Sequence, residues 1–163
     1  MNTAAQRSVR RTTKGFTLVE IMVVVVIIGL LACLAIPGYL RVQRRSQNSR
    51  VVNDIRVFSQ AFETYATQNG AWPNNAGPGV VPAGLGTADF KVSVWQSPTT
   101  IGGVWNWDLN VNTPAGPVTG ISISNFTCDD TQLAEIDAMI DDGDLSTGLF
   151  QKVGPNRVTY ILQ

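Results

Sequence analysis

Between Ile21 and Leu40 the chain runs for 20 residues without a charged side chain. At about 1.5 Å per residue, a helix of that length covers about 30 Å, the thickness of a bilayer's hydrocarbon core. Glu20 stands at the edge of this run. A charged side chain at the centre of a membrane helix costs roughly 2.5–3.5 kcal/mol on insertion scales. A chain that keeps a carboxylate there needs a partner for it. Any fold must therefore leave this segment free for lipid or for other apolar helices.

The other 123 residues, after residue 40 of 163, are enough for a modest core, so one domain plus an anchor is expected. The net charge of zero hides an asymmetry. Residues 1–15 carry Arg7, Arg10, Arg11 and Lys14 and no acid. Residues 41–56 carry Arg41, Arg44, Arg45, Arg50 and Arg56 against Asp54, and beyond residue 63 nine acids face three bases. The C-terminal part has no basic surface for nucleic acid. The chain has no histidine, which removes the commonest general base and metal ligand. Cys33 lies in the apolar run and Cys128 far along the chain, so a disulfide between them is excluded on distance.

The basic leader precedes the apolar run and is followed by Gly15-Phe16-Thr17-Leu18-Val19-Glu20. This stretch resembles the processing site of type IV pilins and type II secretion pseudopilins. The resemblance implies that a prepilin peptidase cuts between Gly15 and Phe16 and that Phe16 becomes the methylated N-terminus. It also gives Glu20 the family's assembly role, its carboxylate meeting the free amine of a neighbouring Phe16. The alternative is a plain signal anchor with a chance glutamate. Basic residues flank the span equally, four on each side, so the positive-inside rule does not orient it. The orientation, leader inside and domain outside, comes from the resemblance.

The implied organisation is a cleaved leader (1–15), a transmembrane and assembly helix (16–40) and its amphipathic continuation (41–69). A Gly/Pro-rich loop (70–90) and a sheet domain (91–163) with a short helix at about 130–140 follow. Pro37 removes a helical hydrogen bond and predicts a kink; pilins often carry a proline at the matching position. Val51, Ile55, Phe58, Phe62 and Tyr65 recur at steps of four and three and form one apolar helix stripe. The arginines from 41 to 50 suit lipid headgroups or acidic neighbours in an assembly; a solvated face is the bland alternative. The stretch Tyr65–Pro73, with Asn69-Gly70 and Trp72-Pro73, is similar to the end of the long helix in many pseudopilins.

Lys91–Trp95 alternates and reads as a strand. Val104–Val111 places Trp105, Trp107, Leu109 and Val111 on one face and Asn106, Asp108 and Asn110 on the other. Asn112–Pro117 reads as a turn, and Gly120–Ser124 and Val158–Leu162 as strands. The fold class expected is α+β, a long N-terminal helix on an antiparallel sheet of three or four strands. The tryptophans at 95, 105 and 107 read as core rather than sugar-stacking residues. Asp129–Ile140 reads as a short helix burying Leu133, Ile136, Met139 and Ile140. Asp141, Asp142 and Asp144 follow it. Major pseudopilins hold calcium with acidic loop residues near the C-terminus, which makes these three the calcium candidates. Their spacing departs from an EF-hand loop and equally suits a turn. No cofactor other than calcium is expected.

No serine or cysteine sits in a nucleophile motif, so no enzyme is expected. The implied function is a structural subunit of a helical pilus or pseudopilus in the bacterial inner membrane, its domain periplasmic. Type II protein secretion is the leading system. A type IV pilus for adhesion, motility or DNA uptake is the alternative; many adhesive pilins carry a C-terminal disulfide that this chain lacks. The partners implied are the prepilin peptidase, an inner-membrane assembly platform, other pilins and further copies of the chain. Two rivals are a monomeric membrane-anchored binding module and an anchored hydrolase built on the acidic cluster.

Overall fold

The fold turns on one helix, α1 (Leu18–Asn69), which serves two different environments. In the computed structural model, residues 15–113 and 116–162 are described. The leader's first fourteen residues and the tip of the 112–117 turn lie outside them. The chain divides into two units, Met1–Arg41 and Val42–Gln163.

In the first unit α1 is apolar all round, and its side chains from Ile21 to Leu40 are exposed apart from half-buried Ala32. A helix with no polar face is stable only inside lipid or among other apolar helices. It is the one helix among the described residues long and apolar enough to cross a membrane. The helix runs through Pro37, so proline does not terminate it. Pro37 has no N–H, so the carbonyl of Cys33, one turn back, loses its ladder partner.

In the second unit the same helix is amphipathic. Val51, Ile55, Phe58 and Phe62 are buried against a sheet of four antiparallel strands. These are β1 (Val104–Thr113), β2 (Gly116–Ser124), β3 (Phe150–Gly154) and β4 (Arg157–Ile161), in the order β1-β2-β4-β3. Phe58 sits edge-on to Phe90, Trp95 and Trp105, with ring centroids 5.0, 4.9 and 5.1 Å away. Phe62 stacks on Trp107 at 4.2 Å. Trp95, Trp105 and Trp107 are fully buried, so the core reading of the tryptophans holds.

Buried indoles need acceptors, and these organise the Gly/Pro-rich loop. Trp107 Nε1 donates to Pro73 O at 2.8 Å and Trp95 Nε1 to Val80 O at 3.0 Å. The loop also closes the open edge of β1. Gly79 N donates to Trp105 O at 2.7 Å, and the Asn75 amide both accepts from Leu109 N and donates to Leu109 O. An edge so occupied cannot template another strand.

Three expectations need correction, and one strand, β3, was not anticipated. Lys91–Trp95 is not a strand; Val92–Gln96 forms one helical turn, α2. The edge of β1 is already taken by the loop, so that ladder is not free. Burying Trp95 among the core rings overrides a five-residue alternation. The 112–117 turn is shorter than expected: β1 and β2 pair out to Thr113 and Gly116, with Asn112 opposite Pro117. Strand β3 had no clear alternation to mark it. In α3 (Asp130–Ile140), Met139 points outward and Asp137 takes its place inside.

Candidate assembly segment and acidic loop

Gly15 and Phe16 precede α1 in non-helical backbone and are exposed, with Phe16 at 84%. The peptide bond between them is therefore accessible to a peptidase. Thr17 and Glu20 form a capping box, a pairing the T-x-x-E spacing could have revealed. Glu20 N donates to Thr17 Oγ1 at 3.3 Å. Glu20 Oε2 accepts from Thr17 N at 2.8 Å and from the Thr17 hydroxyl at 2.7 Å. The carboxylate thus has neutral donors within its own chain, beside the residue expected to become the N-terminus. It remains exposed and open to a cation.

The basic stretch of α1 splits in two. Arg44 faces inward and forms ion pairs with Asp129 and, at 3.5 Å, with Glu135. Beside it, buried Asn48 donates to Glu135 at 2.8 Å and accepts from Gln132 Nε2 at 2.8 Å. Arg45, Arg50 and Arg56 are exposed. Asp129 also caps α3, its carboxylate accepting from Gln132 N at 2.7 Å. Asp129 thus both caps α3 and holds α1 through Arg44.

Of the calcium candidates, Asp141 and Asp142 come together with Asp137, not with Asp144. One carboxylate oxygen from each of Asp137, Asp141 and Asp142 lies within 4.8 Å of the others. Asp137 is 0% exposed, and neither of its oxygens has a hydrogen-bond partner. Burial first, then the neighbouring Asp141 and Asp142 carboxylates, push its pKa up to about 7. Burial also raises Asp141, but the neighbouring Asp137 carboxyl and hydrogen bonds from the Leu149 and Asp142 amides outweigh that and hold it below the ordinary value. The loop is built as a turn. Asp142 accepts from Asp144 N and the Thr147 hydroxyl, and Asp144 from Ser146 N and its hydroxyl. The Ser146 hydroxyl and amide hold Asp144 below the usual carboxylate range. Three carboxylates with one orphaned member suit a hard cation or a shared proton. Sequence reasoning missed Asp137, although its spacing from Leu133 and Ile140 places it on the helix's inner face.

A second buried acid, Asp108, was expected on a polar outer face. It is 3% exposed. Arg157 NH1 donates to both of its oxygens, at 3.1 and 3.2 Å, and Asn106 and Ser122 donate to it as well.

The model of the prokaryotic N-terminal methylation motif matches residues 10–36. A type IV major pilin protein of Neisseria gonorrhoeae is 38% identical over 92 residues, covering 56% of this chain and 41% of that one. A type II secretion system core protein G of Klebsiella michiganensis is 39% identical over 64 residues, 39% of this chain and 45% of the relative. A type IV major fimbrial protein of Dichelobacter nodosus is 53% identical over 51 residues, 31% of this chain and 33% of the relative. The chain thus spans half or less of the length of these relatives. They are named as pilins and a secretion core protein, not as enzymes. No solved structure matches this chain. With its long apolar helix on a four-stranded antiparallel sheet, the chain carries the prepilin methylation motif, and its relatives are type IV pilins and type II secretion pseudopilins.

Proposed function

We propose that this chain is a structural subunit of a helical pilus or pseudopilus, held in the bacterial inner membrane until it is assembled. The observation that carries the reading is the join at residues 15–20. An accessible Gly15–Phe16 bond leads directly into a helix that is apolar on every side as far as Leu40 and carries one carboxylate there, Glu20. Cleavage there by a prepilin peptidase would free an amine on Phe16, which is then methylated. Glu20 of one copy would leave its Thr17 donors and pair with that amine on another, each charge compensating the other in a dry setting. An assembly platform and other pilins would be the further partners, and the C-terminal unit would be periplasmic.

The finer reading is a pseudopilus for type II secretion, with a type IV pilus for adhesion, motility or DNA uptake as the alternative. Residues 42–163 contain a single cysteine, Cys128, and so hold no internal disulfide of the kind many adhesive pilins carry. If calcium is held, Asp137, Asp141 and Asp142 are the residues that would supply oxygens, fewer than the six to eight the ion takes.

The test is co-expression with a prepilin peptidase and mass spectrometry of the product. A chain beginning at methylated Phe16 is expected. A product still carrying the leader, or cut elsewhere, overturns the reading. In the same cells Glu20→Ala should be processed and folded yet lost from filaments, and a normal filament yield would remove the role given to Glu20.

A further inference from the structure

The charges of the second unit are segregated beyond what one chain can neutralise. Arg45, Arg50 and Arg56 form no ion pair with any described residue. Arg50 feels Asp54, one turn along, without pairing to it. Residues 129–144 carry seven carboxylates and no base. Among the described residues only Arg44 and Lys152 reach them, and they take Asp129, Asp130 and Glu135 at the start and middle of α3. Asp141, Asp142 and Asp144 are exposed and have no cation partner among the described residues. Asp137, buried behind them with both oxygens unpartnered, faces two of the three.

We infer that the acidic loop of one copy, Asp141, Asp142 and Asp144, docks on the exposed arginines 45, 50 and 56 of the next. The inference rests on the filament reading above and names the contact between its subunits. Arg44 supplies the chemical precedent, since it already joins this basic stretch to the acidic one within the chain. A lipid surface would satisfy the arginines and leave the acidic loop unmatched. A metal ion would satisfy the acids and leave the arginines unmatched. A second copy of this chain satisfies both. The two patches are different surfaces, so the contact is heterologous, and repeating it generates a ring or an open helical polymer rather than a closed dimer.

The test uses full-length chains carrying two different tags, co-expressed in one membrane, cross-linked there and purified through one tag. With wild-type copies, the second tag is recovered. The triple variant R45E/R50E/R56E in both copies should lower recovery by about fivefold or more, since each exposed pair contributes only a few-fold and several act together. D142K/D144K in both copies should do the same. Pairing one triple-variant copy with one D142K/D144K copy should restore recovery, because both contacts are then complementary again. Far-ultraviolet circular dichroism and thermal melts check folding, with D142N/D144N as the milder variant if the lysines unfold the loop. Undiminished recovery in the reversed variants overturns the inference, as does a mixed pair no better than either parent. Loss of recovery that tracks anionic lipid content alone also overturns it. Absence of recovery between wild-type copies would instead count against the filament reading itself.

Discussion

Asp137→Asn isolates the energetics of the acidic loop. The wild-type carboxyl is fully buried, and its pKa is raised from an ordinary 3.8 to about 7. Below pH 3.8 both the folded and the unfolded chain hold the proton, and its contribution to stability is complete. Between the two values the folded chain keeps a proton that the unfolded chain has released, so stability falls as pH rises. The loss is finished once pH passes about 7. Three pH units at about 1.4 kcal/mol each bound the loss at about 4 kcal/mol. Asp141, held below its ordinary value, acts in the opposite sense, with stability present above its unfolded pKa and lost on acidification. Asparagine has nearly the same shape and does not ionise. The stability difference between variant and wild type should therefore shift in favour of asparagine by roughly 2–4 kcal/mol between pH 4 and pH 8. Taking the difference cancels the titration of the acids that do not adjoin Asp137. The assay is thermal melting of both full-length chains in detergent with a chelator, where a shift of that size moves the gap in Tm by roughly 10 °C. Parallel pH curves for the two chains would refute the reasoning. Adding calcium at pH 8 should raise the wild-type Tm and leave the variant unmoved if Asp137, Asp141 and Asp142 share an ion. An equal rise in both places any ion elsewhere.

Two further perturbations probe the helix from its two ends. Phe58→Ala removes the ring that Phe90, Trp95 and Trp105 all pack against edge-on. It should cost about 3–5 kcal/mol in urea unfolding, and a loss below about 1 kcal/mol would remove Phe58 from the centre of the core. Thr17→Ala breaks the capping box and should cost the start of α1 about 1 kcal/mol, seen as faster amide exchange at residues 18–21 with the domain's exchange unchanged.

Local periodicity carried most of the architecture. The four-and-three spacing of Val51, Ile55, Phe58 and Phe62 could be read because a helix repeats its core face every turn, and those residues are the buried ones. The aromatic face of β1 was legible for the matching reason in a strand. The motif at residues 15–20 was clearest of all, because its chemistry lies within six consecutive residues. Where the reading failed, a remote segment had changed what a local pattern meant. Val92–Gln96 alternates like a strand but does not join the edge of β1, where Asn75 and Gly79 of the loop already bond. Strand β3 is short and exists through its pairing with β4. Met139 and Asp137 exchanged places because hydrophobicity was weighed above helical phase.

The outer face of β1 shows the limit most sharply. Alternation correctly separates Asn106 and Asp108 from the tryptophans, yet it says only that the two sets point in opposite directions. It cannot say whether the second direction meets water. Here it meets Ser122 from β2 and Arg157 from β4, almost fifty residues away, and both polar residues are buried. Because a buried carboxylate needs a bound cation or dense donors, Asp108 fixes Arg157 against the sheet. Asp137 is equally buried but has no such cation among the described residues. The two aspartates look alike in the sequence, and only the register of β2 with β4 and the phase of α3 tell them apart. One is neutralised inside the subunit by Arg157, while the other is held as the neutral acid below about pH 7, beside two exposed carboxylates.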